Sequence, residues 1–325
     1  MMATIREIAK IANVGVGTVS RALNGNGYVD NQKKIYIQKI AEELDYKPVK
    51  KSIKKTKKSG IVGVILPDVA QPFWGSFLRR VEKELLEKGY RTMIINSMGV
   101  CGRVTEAIDM VEKQLLDGII VNSDVTQSEI ERLRKIPTVS FECEMGTGIP
   151  LIASDHKKGG KVAAKLLIQC GCKNVAIFSA KANTPVYARH RIEECSRMLK
   201  RNGVHVSLIE TTGKQTSMKS IGETINDFMN NYTTVDGIFT DDIEAYWCLA
   251  QAKKRGILVP RDFKIIGYDG NQITRMISPQ ITTIVQNVSQ LAKTCVEVLD
   301  KRMKGERTEP LYIVPIKLSK GGTTE

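Results

Sequence analysis

Three stretches of helical periodicity open the chain. Thr4 and Glu7 form a capping box, and Ile5, Ile8, Ala9 and Ala12 then share one helical face. Asn13-Val14-Gly15 breaks the pattern with turn-prone residues. A second short helix follows, with Val19, Ala22 and Leu23 on its buried face and Val16 at the edge. Gly17, Arg21 and Asn24 lie opposite, flanked by Thr18 and Ser20. Asp30 is an N-cap for a third helix, in which Ile37, Ile40, Ala41 and Leu44 recur before Pro48. Such a unit is expected to be an all-α helix-turn-helix headpiece, residues 1–59, ending in a basic segment from 49 to 59.

From Gly60 the period changes. Short apolar runs predict strands at Ile61–Leu66, Thr92–Asn96, Gly118–Asn122, Thr138–Phe141, Leu151–Ser154, Val175–Ser179, Val206–Glu210, Gly237–Thr240, Lys264–Gly267, Thr282–Val285 and Leu311–Pro315. Amphipathic segments between them predict helices, among them Phe77–Lys88, Lys157–Gln169, Arg191–Asn202, Ala245–Arg255 and Val288–Met303. Alternation of this kind predicts parallel sheets covered on both faces. There are too many strands for one compact sheet, so residues 60–325 are expected to be an α/β unit of two doubly wound lobes, the first ending near Asp155.

Charge changes the picture most at the N-terminus. Residues 1–60 hold thirteen Lys or Arg against five Asp or Glu, so an excess of eight out of the chain's net +14 is concentrated there. A local excess points to a polyanion partner. The lysines of VKKSIKKTKK (Val49 to Lys58) suit phosphate neutralisation and a steep salt dependence. The seven cysteines are scattered, without a C-x-x-C pair or a Cys/His cluster of zinc spacing, and are expected to be reduced thiols. No apolar run approaches a membrane span, and Arg6, Glu7 and Lys10 interrupt any signal-peptide core, so a cytoplasmic, nucleoid-associated protein is expected.

The exposed face of the second helix is small, polar and cationic, as a helix in a DNA major groove requires; the plainer alternative is a solvated face. Gly17 costs roughly 1 kcal/mol in a helix, which suggests close approach of backbone to a partner. Ligands of doubly wound sheets bind beyond the carboxyl ends of the strands. Asp68, Gln71, Phe73 and Trp74 follow the first strand, Asn122 and Ser123 the third, and Asp155 the fifth. Asp241 and Asp242 follow Gly237–Thr240, Asp269 ends IIGYD, and Arg191 opens a helix. Carboxylates, one arginine and aromatics on one rim suit a polyhydroxylated molecule. Singly, each Asp could be only a helix N-cap, and Phe73 and Trp74 only packing. No strand is followed by G-x-G-x-x-G, and there is no Walker or G-x-S-x-G word, so no catalytic residue, cofactor or metal is expected.

The words TIREIAKIANV, TVSRALNGNGYV and IAEELDYKP resemble the lactose/galactose-repressor family of bacterial transcription regulators, and the likeness covers the whole chain. The resemblance implies a DNA-binding repressor of a sugar-utilisation operon, with two periplasmic-binding-protein-like lobes that clasp a small sugar or sugar phosphate. It implies a homodimer on pseudo-palindromic operator DNA. Val16 and Gly17 then fall where bases are read, Arg21 on base or phosphate, and Thr18, Ser20 and Asn24 on phosphates. Thr4, Tyr46 and Lys51 complete the DNA-facing set, and Ile53 is the candidate minor-groove wedge of a hinge helix. In the lobes, Arg191 matches the arginine of the R-x-x-G-F word. Asp242 matches the aspartate of A-N-D, with Asp241 in place of Asn. Asp269 matches the first acid of G-F-D-D, and Phe73 the first aromatic of N-P-F-F. The return to the first lobe is placed near Gln286, giving lobe 1 as about 60–155 plus 287–320 and lobe 2 as 156–286. The run GYDG…TTIVQ looks most like sucrose-type members. A member controlled by a phosphocarrier protein partner is the alternative.

Overall fold

A computed structural model describes residues 4–24, 28–44, 46, 58–100, 102–179, 187–210, 218–231 and 234–325. The chain divides into two compact units, Met1–Lys57 and Lys58–Glu325.

In the first unit, helices α1 (Ile5–Ile11), α2 (Val16–Asn24) and α3 (Asn31–Glu43) pack around one small core. Ile8, Ala9, Ala12, Val19, Ala22, Ile37, Ile40 and Ala41 are buried in it. Both expected caps are made. The Thr4 hydroxyl accepts from the Glu7 N–H and the Glu7 carboxylate accepts from the Thr4 N–H at 2.7 Å. Asp30 accepts from the N–H groups of Gln32 and Lys33. The segment expected to be a hinge, with Lys51 and Ile53, lies outside the described residues.

The second unit begins where the Asp117 carboxylate accepts the N–H groups of Ser59 and Gly60. Its strands are β1 (Ile61–Leu66), β2 (Arg91–Asn96), β3 (Gly118–Val121), β4 (Thr138–Phe141), β5 (Leu151–Ser154), β6 (Asn174–Ser179), β7 (His205–Glu210), β8 (Gly237–Phe239), β9 (Lys264–Asp269), β10 (Thr282–Gln286), β11 (Leu311–Val314) and β12 (Ile316–Ser319). Its helices are α4 (Pro72–Glu87), α5 (Arg103–Glu112), α6 (Gln127–Leu133), α7 (His156–Gln169), α8 (Arg189–Arg201), α9 (Met218–Asn231), α10 (Asp242–Lys254), α11 (Ile273–Met276) and α12 (Val288–Met303).

The strands form two six-stranded sheets, β11-β5-β4-β3-β1-β2 and β12-β10-β9-β8-β6-β7. Every described pairing is parallel except β10 with β12. Each sheet is buried on both faces, which explains why its central strands are unbroken apolar runs such as IVGVIL. Helix α12 packs in the core of the first lobe with α4, and β11 pairs with β5 there. The tail departs from expectation. The chain leaves the first lobe at Pro315, not near residue 320, and β12 pairs with β10 of the second sheet. Thr323 then accepts from the Thr282 N–H and donates to the Ile265 carbonyl, fastening the C-terminus to the second lobe.

Two glycines of α7 let the second lobe close tightly. A Cβ on Gly160 would lie 2.1 Å from the Arg191 carbonyl oxygen, and one on Gly159 would lie 2.6 Å from the Tyr268 hydroxyl. Side chains there would push α8 and β9 away from α7.

Candidate functional site

On α2 the inward face is Val19 and Ala22, both buried, so the opposite face looks to solvent. Val16 is 43 % exposed, more than its place at the edge of the apolar face suggested. Gly17 and Arg21 are exposed, and Thr18 and Ser20 half-buried. A Cβ on Gly17 would meet only the end of Arg21, 3.7 Å away. The headpiece itself therefore does not need a glycine there. Thr4 is exposed with its hydroxyl turned to the cap of α1. Tyr46 packs against the three-helix core, where it borders a shallow pocket with Leu23, Gln38, Ala41 and Glu42. Asn24 ends α2.

In the second unit, the C-terminal ends of the two sheets meet at the crossovers. The Ser154 hydroxyl at the end of β5 donates to Gln286 at the end of β10, at 2.6 Å. Glu142, directly after β4, accepts the Ser154 N–H at 2.8 Å and contacts Nε2 of His156 at 2.6 Å. His156 Nδ1 lies 2.8 Å from the Tyr268 hydroxyl. A carboxylate can only accept, so the Nε2–H of His156 donates to Glu142. Glu142 also accepts the Tyr187 N–H on its backbone carbonyl, at 2.8 Å. A buried polar chain thus runs from the first lobe into the second.

Arg191 is the centre of that second-lobe cluster. Its guanidinium lies 4.1 Å from the centre of the Tyr268 ring. One Nη bonds the Asp241 carboxylate, and the other stands 4.0 Å from Asp269. Burial opposes the charge of Arg191, but Asp241 and Asp269 raise its pKa regardless. Asp269 accepts from the Gln286 amide at 2.8 Å. Burial, then Asp241, drives the Asp269 carboxyl well above its usual range, with Arg191 opposing. Glu244 sits in the first turn of α10, bonded to the Thr240 hydroxyl; burial and Asp241 push it up to about 7. Two of these acids sit on unusual backbone: Glu142 at φ +58° and Asp269 at φ +111°. Each such residue costs about 1–3 kcal/mol, and such strain gathers at ligand clamps.

The expected rim residues divide into two groups. Arg191 and Asp269 come together; Asp242 does not join them. Its side chain is fully buried, accepting the Asn271 N–H and the Thr283 hydroxyl, each at 2.6 Å, and burial pushes its carboxyl up to about 7. Its role is to tie α10 to β9 and β10. The neighbour Asp241, 48 % exposed, is the residue turned to Arg191. Asp155 caps α7 by accepting the Lys158 N–H at 3.0 Å. Asp68 accepts the Ala70 N–H in the turn after β1. Phe73 is buried, so it is not an open platform. It stacks on Phe141, the residue before Glu142, and Trp74 meets the same ring edge-on. Trp74, Gln71 and Ser123 are half-buried on the first lobe.

Sequence reasoning missed Glu142, His156, Tyr268 and Gln286. Only the Gly159-Gly160 pair hinted at the close packing that aligns them. Of the seven cysteines, six lie among the described residues, all unpaired. Burial raises the thiols of Cys143 and Cys172 to about 12, which leaves them unreactive. Among the described residues no acid, His or Cys group is arranged to hold a metal, and no helix is long and apolar enough to cross a membrane.

These two constructions, a three-helix unit with an open polar face and a two-sheet unit with a polar cluster at its strand ends, agree with what the chain resembles. The profile of "Bacterial regulatory proteins, lacI family" matches residues 4–49, and "Periplasmic binding protein-like domain" matches residues 164–324. The sucrose operon repressor of Pediococcus pentosaceus is 31 % identical, over 99 % of this chain and all of that one. The chain belongs to the lacI family. The ribose operon repressor of Bacillus subtilis is also 31 % identical, over 92 % of this chain and 91 % of that one. A periplasmic binding protein/LacI regulator of Alkaliphilus metalliredigens, crystallised with D-xylulofuranose, is 26 % identical with a TM-score of 0.73; the match spans 82 % of this chain and 99 % of that one. This lacI-family chain is thus a DNA-binding regulator and not an enzyme.

Proposed function

We propose that this regulator represses a sugar-utilisation operon and that a small polyhydroxylated effector, bound between the lobes against Arg191, sets its grip on the operator. The observation that carries the reading is the pairing, in one chain, of the exposed Val16–Arg21 face with the strand-end cluster of Arg191, Asp241 and Asp269. Val16, Gly17 and Arg21 reach bases, with Arg21 on base or phosphate; Thr18, Ser20 and Asn24 reach phosphates, as do the basic residues that follow, Lys51 included. The sucrose and ribose repressors among the relatives and the sugar-bound regulator favour a sugar over a protein effector. The protein works at DNA in the cytoplasm, as a homodimer, since a helix-turn-helix reader gains affinity from two half-sites. β2, an edge strand of its sheet, leaves Met93 and Ile94 exposed, an apolar surface that a second copy of the chain would cover.

Glu142–His156 and Ser154–Gln286 bridge the lobes beside the crossovers. An effector that closes the lobes onto Arg191 bends the molecule there and repositions the first lobe. By linkage, effector and operator change each other's affinity by the same factor. The test is calorimetric titration with sugars and then with a phosphocarrier protein. Heat with sugars supports the reading; heat with the protein alone overturns it.

A further inference from the structure

We propose that Asp117 is the positioning residue that ties the basic segment to the first lobe, and so fixes the half-site spacing at which a dimer of this chain holds DNA. This rests on the regulator reading above and deepens it.

The lysine-rich segment runs into the second unit at Lys58. The next two residues are held from several sides. Asp117 Oδ1 accepts the Ser59 N–H at 2.8 Å and the Ser59 hydroxyl at 3.0 Å, and Oδ2 accepts the Gly60 N–H at 2.9 Å. The Ser59 hydroxyl oxygen accepts the Ile61 N–H at 3.1 Å. The Gly60 carbonyl accepts the Arg91 N–H at 2.7 Å, and the Ile61 carbonyl accepts the Asp117 N–H at 2.8 Å. Gly60 turns at φ +73° with open space where a Cβ would stand, so the turn and not crowding selects glycine. Three charge-assisted bonds to one carboxylate fix the direction in which the chain leaves as well as its position. Beyond them β1 is buried in its sheet, so Ser59 follows the first lobe as part of one body.

The second lobe supplies a comparison. Asp236-Gly237 repeats the Asp117-Gly118 pair, and the Asp236 carboxylate accepts the Lys173 and Asn174 N–H groups at the start of β6, at 2.7 and 3.0 Å. The chain arriving there comes from α7 of the same lobe, so that clamp has only its own sheet to order. The clamp at β1 receives the chain from the DNA-facing unit. A segment passes a rotation of one body to the next only if its end is held. A loose end would let each headpiece find its half-site at many spacings.

The experiment is a gel shift with the full chain and its own upstream DNA. The footprinted site is used as it stands and with one base pair added or removed between its half-sites. Each change moves a half-site by about 3.4 Å and about a tenth of a turn. The parent chain is expected to lose about tenfold or more in affinity, since two linked readers keep their joint advantage only where the geometry admits both. Asp117→Asn keeps the shape and one acceptor oxygen, and is expected to lose less than about threefold on the same DNA. Asp236→Asn, the matching change in the second lobe, is expected to discriminate like the parent. Thermal melts establish that both variants fold. If Asp117→Asn does not, Ser59→Ala, which removes the hydroxyl and leaves the carboxylate, is read in its place. Discrimination as sharp as the parent's in the variant read overturns the proposal and leaves the regulator reading standing. So does equal relaxation in Asp236→Asn, or a parent indifferent to spacing. A parent that shifts none of the DNA overturns the regulator reading itself.

Discussion

The two working surfaces of this regulator are built on opposite terms. On α2 the residues proposed to read DNA, Val16, Gly17 and Arg21, are exposed on a helix whose other face is packed. At the strand ends the side chains around Arg191 are already bonded to one another: Arg191 to Asp241, Asp269 to Gln286, Glu142 to His156. A DNA reader can leave its side chains loose because phosphates bring a strong field and base edges supply the geometry. A clamp for a small molecule must be set in place beforehand, since little binding energy is available to arrange it. The difference teaches where substitutions should disturb stability and where they should disturb only recognition.

The largest stability effect belongs to the clamp. Arg191→Ala removes the cation from Asp241 and from the face of Tyr268, while Asp269 keeps its bond from Gln286, and is expected to cost about 1–3 kcal/mol. Denaturant unfolding of the purified chain checks this. Effector binding should be lost with it. A variant as stable as the parent would mean that the cluster is looser than its geometry.

On the reading surface the balance inverts. Arg21→Ala is expected to cost operator affinity roughly 1–3 kcal/mol, about five- to 150-fold, without moving the melting temperature. A gel shift beside a thermal melt separates the two readouts. A fall in melting temperature would place Arg21 in the packing of the headpiece.

A smaller effect comes from the buried acid of α10. The Asp242 carboxyl titrates at about 7 in the folded chain, against 3.8 for the ordinary group. The folded state therefore holds a proton that the unfolded chain has released between those values, so this group's contribution falls as pH rises through the window and is level above it. Asp242→Asn can still accept from Asn271 and can donate to Thr283, and it should flatten that slope by a few degrees of melting temperature. Melts at pH 5 and pH 8 test it; an unchanged slope would assign the pH dependence elsewhere.

The smallest effect sharpens the comparison best. Gly17→Ala meets open space in the headpiece, and helix propensity should add roughly 0.5–1 kcal/mol of stability. The new methyl stands on the reading face, so operator affinity should fall while the headpiece becomes firmer. A gain in both would remove Gly17 from the DNA contact.

The headpiece was legible almost residue by residue, because capping boxes and apolar spacing are local. Thr4–Glu7 and Asp30 cap as their letters suggest, and Ile8, Val19 and Ile40 are buried. The alternation of strands and helices was legible for the same reason. Long-range pairing was not. IKLS reads as little more than a tail, yet it joins the second sheet as β12 because the chain turns at Pro315. Asp241 and Asp242 stand side by side in sequence, and spacing cannot decide which faces Arg191. The start of α10 decides it, turning Asp242 inward to Asn271 and Thr283. Glu142 and His156 gave no signal, since their meaning lies in a bond between lobes.

In the proposed regulator, the strand-end cluster around Arg191 governs the DNA-facing surface of α2. The direct measurement is a gel shift with the chain's own upstream DNA across neutral and phosphorylated sugars, repeated with Asp269→Asn. At least one sugar should change operator affinity severalfold, and the variant should bind the same DNA without that response. A sugar that binds calorimetrically yet leaves the shift unmoved in the parent chain would contradict the account.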